Sequence, residues 1–363
     1  MTISAQRDIE FGFVAAPSGE RSLTDGESYD EILADCELGQ ELGYATAYMI
    51  EHHFSDYYPT PNPLAFLHFI AARFPDLGLG TCVLVTPWYE PLRLAEEIAQ
   101  LNALTKQPLH LGIGRGTAKM EYDAFGIDME LGRARFRECY EIISTALKGG
   151  RFTYQGEHLN VPKEIEIRPR GDTAKINFYG ALGASPESAE IMADLGLTPM
   201  CTTIANFEKQ HEVIARWHER AAAHGLNTSK PIPLMVNCII ADTDEEAVED
   251  AKTFIPPFMQ QQVDHYEGDK DHFKNLGSYK SWSHVFNSMV DKCNPESMPR
   301  WSQFQFVGSP ETVCRQLERY RAAGFGSFLL HIATTGVPRA KRHDWMRRFA
   351  KEVAPRYSSK FKG

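Results

Sequence analysis

Strand-like stretches that end in ionisable or flexible residues constrain this chain more than any other feature. The apolar residues 44–50 stop abruptly at the run EHHF (51–54), and the apolar residues 109–113 stop at the run GRG (114–116). Parallel strands deliver the residues at their carboxyl ends to one rim, where an α/β barrel builds its active site. These two strand ends therefore predict a parallel sheet with a functional site along one edge.

Strand and helix patterns alternate along almost the whole chain. Near-continuous apolar runs of the kind that buried parallel strands show alternate with stretches whose apolar residues recur at helical spacing. The pattern predicts eight strands, near residues 9–14, 44–50, 77–85, 109–113, 176–179, 198–201, 234–241 and 327–331. We therefore predict an α/β fold, a (β/α)8 barrel that forms a single domain over residues 1–363. The alternative is an open doubly wound sheet, but no Gly-x-Gly-x-x-Gly motif follows the first strand.

Two segments interrupt this alternation. Residues 151–172, after the fourth strand, contain short strand patterns and predict an excursion from the barrel. Residues 255–305, after the seventh strand, are predicted to be irregular and are rich in aromatic residues. A long segment of this kind is often a lid over a binding site, and the alternative is a surface excursion that packs on its own aromatic side chains. The predicted fold is thus a TIM barrel with a lid-like insertion after strand 7.

Charge and cysteine content limit the possible partners and compartment. The formal net charge is −10, which gives no electrostatic footprint for nucleic acid or an anionic membrane. No run approaches the roughly 18 apolar residues of a membrane span, and the N-terminal residues lack the apolar core of a signal peptide. The seven cysteines are scattered singly without Cys-x-x-Cys spacing, which argues against disulfides and zinc cages. A cytoplasmic protein with no membrane or nucleic-acid partner is expected.

The adjacent residues Glu51, His52 and His53 allow either a metal or an acid–base interpretation. Side chains alternate across a strand, so the two histidines point to opposite faces and cannot easily share one ion. A zinc site would need a further ligand, which the sequence does not nominate, and we expect no metal. A neutral imidazole at a barrel rim is a competent proton carrier near neutral pH. The structural alternative is a core histidine hydrogen-bonded to Glu51.

Three motifs are compatible with a phosphate site, and each also has a plain structural interpretation. Glycines beside Arg115 let the backbone approach a ligand and arginine clamps anions, but this tripeptide could be a tight turn. Arg133 could be a solvated helix residue. Ser185 and Ser188 begin a helix, whose free N–H groups attract phosphate. The similar run SPET (309–312) shows that such a pattern can also be simple capping.

In their order and spacing, these motifs resemble those of the bacterial luciferase-like flavin monooxygenases. The resemblance is firmest across residues 9–200. The motifs that carry it are EHHF (51–54), LGT (79–81), VTP (85–87), PLRLAEE (91–97), GIGRG (112–116), FG (125–126), RARF (133–136), SPESA (185–189) and VGSPE (307–311).

The resemblance implies a barrel that binds FMN and acts as a two-component, FMNH2-dependent monooxygenase. Reduced FMN would come from a separate NAD(P)H:flavin reductase. O2 would add to the flavin at C4a, and the resulting (hydro)peroxide would oxygenate a small organic substrate. A homodimer is expected.

The resemblance also implies roles for individual residues. His52 is similar in position to the family's catalytic histidine, and Glu51 to the acid beside the flavin ring. Cys82 and Val83 occupy the positions of two small residues that floor the isoalloxazine. The remaining cofactor-binding positions, around the phosphate, are Arg115, Arg133, Ala184, Ser185 and Ser188.

Two departures and two alternatives qualify this reading. Gly114 stands where the luciferase catalytic subunit has a reactive cysteine, which argues against light emission. Ala184 stands where luciferase has a carboxylate.

One alternative is an oxidoreductase that uses the deazaflavin F420 on the same scaffold, although the EHHF run favours the monooxygenase. The other is a non-catalytic flavin-binding partner subunit, and Arg115 argues against it because the second luciferase chain lacks this arginine.

Overall fold

The computed structural model describes residues 8–16, 22–183, 185–203, 207–268, 270, 273, 277–332 and 334–361, apart from the side chains of 278, 280–284 and 286. Its strands are β1 (Glu10–Val14), β2 (Thr46–Met49), β3 (Gly78–Val85), β4 (Leu109–Gly114), β5 (Phe152–Gln155), β6 (Asn160–Ile165), β7 (Ile176–Leu182), β8 (Thr198–Thr202), β9 (Ile232–Ile240), β10 (Phe306–Gly308) and β11 (Phe325–His331).

Eight parallel strands close into a barrel. They follow one another in chain order as β1, β2, β3, β4, β7, β8, β9 and β11, and β11 pairs back onto β1. β8 also pairs with β9, and β9 pairs with β11, so that the sheet closes on itself. The predicted (β/α)8 barrel is therefore confirmed, and the open doubly wound sheet is excluded.

The helices that surround the strands are α1 (Asp25–Leu42), α2 (Pro63–Arg73), α3 (Pro91–Leu104), α4 (Lys119–Phe125), α5 (Gly132–Leu147), α6 (Pro186–Asp194), α7 (Phe207–Ala223), α8 (Asp244–Tyr266), α9 (Lys280–Lys292), α10 (Met298–Ser302), α11 (Pro310–Ala322) and α12 (Arg339–Arg348). Three of them begin with proline behind a capping side chain, since Asn62, Glu90 and Ser185 each accept a backbone N–H of the first turn. In the described part of the chain, none of these helices combines the length and apolarity that a membrane crossing requires.

The apolar strand residues that predicted the barrel form its core. Phe11, Leu79, Leu111, Leu234 and Phe328 lie on five different strands and are at most 1% exposed. Burial of such side chains is the main favourable term in folding, and their close packing holds the strands in one register. The carboxyl ends of the strands are therefore held as a rigid rim.

The two predicted interruptions have different outcomes. After β4 and α5, strands β5 and β6 pair as an antiparallel hairpin, which is the predicted excursion. The described residues of 255–305 are largely helical and not irregular as predicted, because α8 continues through Pro256 and Pro257 and is followed by α9 and α10. Ile255, Met259 and neighbouring apolar residues of α8 are buried, and this tertiary packing outweighs the helix-breaking tendency of the prolines.

A buried ion-pair network joins α1 to α12. Arg342 is 4% exposed, and its Nη2 lies 3.1 Å from Asp35 Oδ1 and 2.8 Å from Glu31 Oε2. His343 Nε2 lies 2.9 Å from Asp35 Oδ1. Arg339 pairs with Glu31 from the surface, and its hydrogen bonds are the main reason why the pKa of Glu31 is lowered to about 2. The network ties the first helix of the barrel to the last.

Acid should weaken this network through Glu31. A carboxylate with a depressed pKa stabilises the fold above its unfolded value of 4.5 and loses that contribution as the pH falls toward about 2. Because Glu31 is partly exposed and solvent screens its ion pairs, we expect a loss of about 1 kcal/mol in the free energy of unfolding. Urea unfolding at about pH 5 and about pH 3 measures this loss. The Glu31→Gln variant is the control, and an equal pH dependence in that variant would show that another group is responsible.

Candidate active site

A cavity of about 980 Å³ opens at the carboxyl ends of the barrel strands. Its wall includes residues at or just after the ends of β2, β3, β4, β7 and β8, and Tyr266 of α8 and Val285 of α9 contribute to the side that these helices cover. A volume of this order is typical of a pocket that takes a cofactor-sized ligand. The cavity therefore lies at the edge of the barrel where the strand ends in the sequence predicted a functional site.

One part of the cavity wall gathers cationic and hydroxyl groups. Arg115 follows β4, Ser185 and Ser188 stand at the start of α6, and Lys209 lies in the first turn of α7. Ser185 Oγ accepts the N–H of Ser188 at 3.4 Å and caps α6. The first turn of a helix has N–H groups without helical partners and carries a partial positive charge. Such groups can bind an anion, and an anion site formed by them stays a prediction.

The backbone around Arg115 is held in place by two tyrosines. The hydroxyl of Tyr122 donates to the carbonyl oxygen of Arg115, and that of Tyr279 donates to the carbonyl oxygen of Gly116 at 3.3 Å. The Arg115 guanidinium lies 4.0 Å from the centre of the Tyr279 ring. Gly116 has a φ of +75°, and a Cβ there would meet Val85 Cγ1 at 2.7 Å. The positive φ and the packing against Val85 therefore require a glycine here, and the close approach of the backbone to a ligand stays a prediction.

The other two residues that were predicted to bind phosphate, Arg133 and Ala184, are not among the described residues that line the cavity. Arg133 Nη2 lies 3.8 Å from Glu187 Oε2, and Glu187 lines the cavity, so Arg133 reaches the cavity through this carboxylate. Burial lowers the pKa of Arg115, and the nearby charge of Arg133 lowers it further. Ala184 lies outside the described residues. In the second Ser-Pro-Glu run, Ser309 donates its N–H and hydroxyl to Asp244 at 2.7 Å each, which is a packing contact between α8 and α11.

Small and apolar residues form the floor of the cavity. The register of β3 against β4 shifts between Thr81 and Leu84, and both Cys82 and Val83 line the cavity. Side chains on a regular strand alternate between faces, so the irregularity accounts for two consecutive residues on one wall. A Cβ on Gly114 would meet Val83 Cγ2 at 2.9 Å. The glycine therefore lets β4 pack closely against Val83, and a cysteine at that position would clash with Val83.

His52 belongs to a cluster with Glu121 of α4 and His265 of α8. Glu121 Oε1 lies 3.4 Å from His52 Nδ1 and 3.2 Å from His265 Nε2, and it accepts the backbone N–H of His53 at 2.8 Å. The other ring nitrogen of His52, Nε2, lies 3.3 Å from the Tyr266 hydroxyl. One carboxylate thus fixes the orientation of the His52 ring.

Burial and hydrogen bonding set the protonation states of this cluster. Burial lowers the pKa of His52 to about 4. Burial works to raise the pKa of Glu121, but hydrogen bonds from His265 and His52 outweigh it and hold the value at about 2. At neutral pH a neutral His52 therefore donates from Nδ1 to an ionised Glu121, and its Nε2 accepts a hydrogen bond from the Tyr266 hydroxyl.

The same cluster bears on the metal question. Ligand atoms of His52, Glu121 and His265 lie within 4.8 Å of one another. The sequence indicated no candidate metal ligand beyond the histidine pair, because Glu121 and His265 lie on separate helices that only the fold brings together. Both imidazoles lie 3.2–3.4 Å from the carboxylate, but His265 Nε2 is buried and makes no hydrogen bond of good geometry among the described residues. That the site takes no metal stays a prediction.

His53 and Glu51 form a separate buried pair. His53 Nε2 lies 3.1 Å from Glu51 Oε1, and Glu51 Oε2 accepts the N–H of Val85 at 2.9 Å. Burial raises the pKa of Glu51, and the hydrogen bond from His53 partly offsets this. The histidine that bonds to Glu51 is therefore His53, whereas His52 has different partners. Glu51 and His52 both line the cavity.

A smaller cavity of about 170 Å³ adjoins the larger one, and the two share wall residues that include His52, Cys82 and Tyr266. Its polar wall contains His331 at the end of β11, whose Nδ1 lies 2.7 Å from Asn237 Oδ1. The Tyr58 hydroxyl hydrogen bonds to His331 Nε2. Burial lowers the pKa of His331 to about 4, so this imidazole is neutral at neutral pH.

Sequence reasoning missed several residues that line the two cavities or contact His52. Most of them share one signal, since they stand at the end of a barrel strand or in a helix that follows one. These residues are Glu121, Lys209, His265, Lys292 and His331.

The chain is similar to known sequences over most of its length. A sequence model described as "Luciferase-like monooxygenase" matches residues 9–327. The oxygenase component of a flavin-dependent trigonelline monooxygenase from Acinetobacter baylyi is 24% identical over 341 residues, which cover 92% of this chain and 91% of that protein. An uncharacterized protein of Sinorhizobium fredii is 36% identical over 125 residues, 34% of this chain and 36% of that protein. The chain spans only between 36% and 54% of the length of this protein and of two further curated relatives.

Solved structures share the fold. A monooxygenase from Streptomyces bottropensis has a TM-score of 0.79 at 24% identity, with 96% of this chain and 100% of that chain covered. An F420-dependent secondary alcohol dehydrogenase, in complex with an F420–acetone adduct, has a TM-score of 0.73 at 14% identity, with 94% and 98% covered. At these identities the likeness concerns the fold alone, and the second structure shows that the fold also serves an F420-dependent enzyme.

Proposed function

Since the chain belongs to the luciferase-like monooxygenase family, we propose that it oxygenates a small organic substrate with O2 and reduced FMN. The observation that carries this proposal is that one cavity is lined by all of the following groups. Arg115 and the start of α6 offer an anion site, Cys82 and Val83 offer a floor, and His52 offers a proton acceptor. This combination suits the parts of a flavin mononucleotide, which has a phosphate at one end and a redox-active ring at the other.

The residues of the large cavity fit this cofactor. In this proposal Arg115, Ser185 and Ser188 hold the phosphate together with the first N–H groups of α6, and Lys209 adds a second positive charge. The flat ring lies over the floor that Cys82 and Val83 form. Arg133 acts on the phosphate at longer range, because Glu187 stands between it and the cavity.

The chain's own groups then support the chemistry. Bound reduced FMN supplies the electrons with which O2 is split, so that one oxygen atom enters the substrate and the other leaves as water. His52 takes up or returns a proton at Nε2, and Glu121 holds the ring in the tautomer that this requires. Helices α8 and α9 limit the access of water, which favours transfer of oxygen to the substrate over release of peroxide.

Partners and alternatives follow from the same proposal. A separate flavin reductase would supply the reduced FMN, and the relative from Acinetobacter baylyi, an oxygenase component, supports this. Assembly as a homodimer in the cytoplasm is part of the proposal.

An F420-dependent oxidoreductase is the second candidate function, because an enzyme of that kind shares the fold. Titration of the protein with FMN and with F420, in parallel, separates the two candidates.

The anion site gives a direct test of the proposed cofactor position. Arg115→Ala should weaken FMN binding by about 1.5–3 kcal/mol, the range of a hydrogen bond to a charged group. Riboflavin lacks the phosphate, so its affinity should barely change. Titration by flavin fluorescence measures both. Arg137→Ala is the matched control, since Arg137 lies on the exposed side of α5, and it should leave both affinities unchanged. Equal losses for FMN and riboflavin in Arg115→Ala would contradict the assignment.

Activity tests the function itself. The protein is supplied with FMN, a flavin reductase, NADH and O2, and ketones, aldehydes and aromatic compounds are screened by mass spectrometry for products that have gained one oxygen atom. The isolated chain should suffice together with the reductase. A chain that binds FMN but oxygenates nothing until a second, homologous subunit is added would instead be the partner subunit of a heteromeric enzyme.

A further inference from the structure

The smaller cavity combines one cation with an otherwise uncharged and largely aromatic wall. Tyr57, Tyr58, Phe258 and Trp301 line it, and so does Lys292. Two imidazoles also line it, but burial keeps both of them neutral at neutral pH. Among the described residues of this wall, Lys292 is thus the only one that carries a full charge. An aromatic wall with one fixed cation is the chemistry that recognises an aromatic anion.

Lys292 reaches this cavity because of its position on α9. Val285, Met289 and Lys292 are spaced four and three residues apart and therefore share one face of the helix. Val285 lines the large cavity, whereas Met289 and Lys292 line the small one. Val290 and Asp291, which follow Met289, are exposed. The helix therefore directs its lysine toward the two cavities, on the face opposite to solvent.

The ammonium group of Lys292 has no carboxylate partner within the described part of the chain. Asp291 precedes it and acts only as a nearby exposed charge. Burial lowers the pKa of Lys292, and Asp291 partly offsets this. A half-buried cation without a counter-ion is unfavourable, because it has lost hydration that no ion pair replaces. An anion that enters the cavity would supply this missing partner.

The size and position of the cavity limit what can enter. Its volume is about 170 Å³, and a cavity of about 150 Å³ in another protein takes benzene. One ring with a small substituent is therefore the largest ligand that it accommodates without rearrangement. His52 and Tyr266 belong to the walls of both cavities, so a ring bound here lies beside the proton acceptor.

We propose that the substrate is a compound with a single aromatic ring and a carboxylate, held in the small cavity with the carboxylate on Lys292. The ring packs between the aromatic side chains and presents its far edge to the boundary with the large cavity. This inference rests on the proposed function, since it places the substrate beside the site assigned to the flavin. Binding of the carboxylate itself does not depend on the flavin and can be measured separately.

The experiment compares benzoate with nitrobenzene, which has nearly the same shape but no net charge. Isothermal titration is carried out with the protein alone and with the FMN-loaded protein. Benzoate should bind at least tenfold more tightly than nitrobenzene. In Lys292→Met the affinity for benzoate should fall roughly tenfold to hundredfold, as expected for the loss of a charged hydrogen bond. The affinities for nitrobenzene and FMN should stay within about threefold, because the variant preserves the length and apolar volume of the side chain.

Controls separate the possible failures. Lys252→Met removes a positive charge from α8, where Lys252 pairs with Glu249, and should leave benzoate binding unchanged. Lys292→Gln provides a second variant if the methionine variant does not fold. Equal affinities for benzoate and nitrobenzene in the unaltered protein, or an unchanged benzoate affinity in both Lys292 variants, would overturn the proposal. Failure of FMN to bind while benzoate still binds through Lys292 would instead contradict the proposed function and leave the anion site standing.

Discussion

Replacement of His52 by alanine should lower product formation about 10²–10⁴-fold, the usual contribution of a positioned acid or base. The physical reason is the pairing of two features in one imidazole. Glu121 fixes its orientation from Nδ1, and burial keeps it neutral, so that the Nε2 lone pair is free of a proton and lies on the side of the Tyr266 hydroxyl. His52 also lies on the wall that joins the two cavities, which is where the proposed cofactor and the proposed substrate meet.

The fate of the electrons distinguishes this role from a structural one. In His52→Ala, reduced FMN should still bind and still be oxidised by O2, but hydrogen peroxide should replace the oxygenated product. The measurement is the ratio of peroxide to product per NADH consumed, together with the FMN affinity and the midpoint of thermal unfolding. A variant that keeps the ratio of the unaltered protein would remove His52 from the chemistry.

His53→Ala is the matched control for this prediction. His53 is the next residue in the chain and is also an imidazole bonded to a buried glutamate, but its partner is Glu51. Its removal leaves the buried carboxylate of Glu51 without one hydrogen bond, which should reduce the free energy of unfolding by about 1–3 kcal/mol. The ratio of peroxide to product should stay unchanged. If both variants lose product equally, the loss is caused by disturbance of residues 51–54 as a whole and not by removal of the His52 imidazole.

The parts of the fold that the sequence predicted are those that local patterns determine. A buried strand needs a short apolar run and an amphipathic helix needs a periodic one, so the eight strands and most of the helices could be located. The cap of α6 at Ser185 likewise depends on residues within one turn. The short strand β10 was missed, because its three residues pair only with the end of β9, and so short a run gives no periodic signal.

The parts that could not be predicted depend on contacts between distant segments. The helical path of α8 through two prolines depends on burial of its apolar face against the rest of the barrel. Glu121 and His265 contact His52 from positions far away in the chain, and nothing in their local sequence marks them as its partners. The two Ser-Pro-Glu runs are nearly identical as sequences, yet only Ser185 reaches the cavity, since Ser309 is bonded to Asp244.

Replacement of Arg342 by alanine should reduce the free energy of unfolding by about 3–5 kcal/mol, the cost of breaking a buried ion pair. Arg342 and Asp35 are 4% and 2% exposed, and the guanidinium also donates to the carbonyl oxygen of Val337 at 2.9 Å. Its loss leaves His343 as the remaining side-chain partner of Asp35 among the described residues. Urea unfolding measures the change in free energy.

Arg339→Ala tests whether burial, and not charge alone, is responsible. Arg339 lies on the same helix and pairs with Glu31, but it is about half exposed, so its removal should reduce the free energy of unfolding by no more than about 1 kcal/mol. A double variant that replaces Asp35 and Arg342 by leucine and methionine should recover part of the lost stability, because no unpaired charge then stays buried. Similar losses in Arg339→Ala and Arg342→Ala would mean that the network acts through long-range charge. A much larger loss in Arg342→Ala than in Arg339→Ala is expected if the buried ion pairs of Arg342 hold α1 and α12 together.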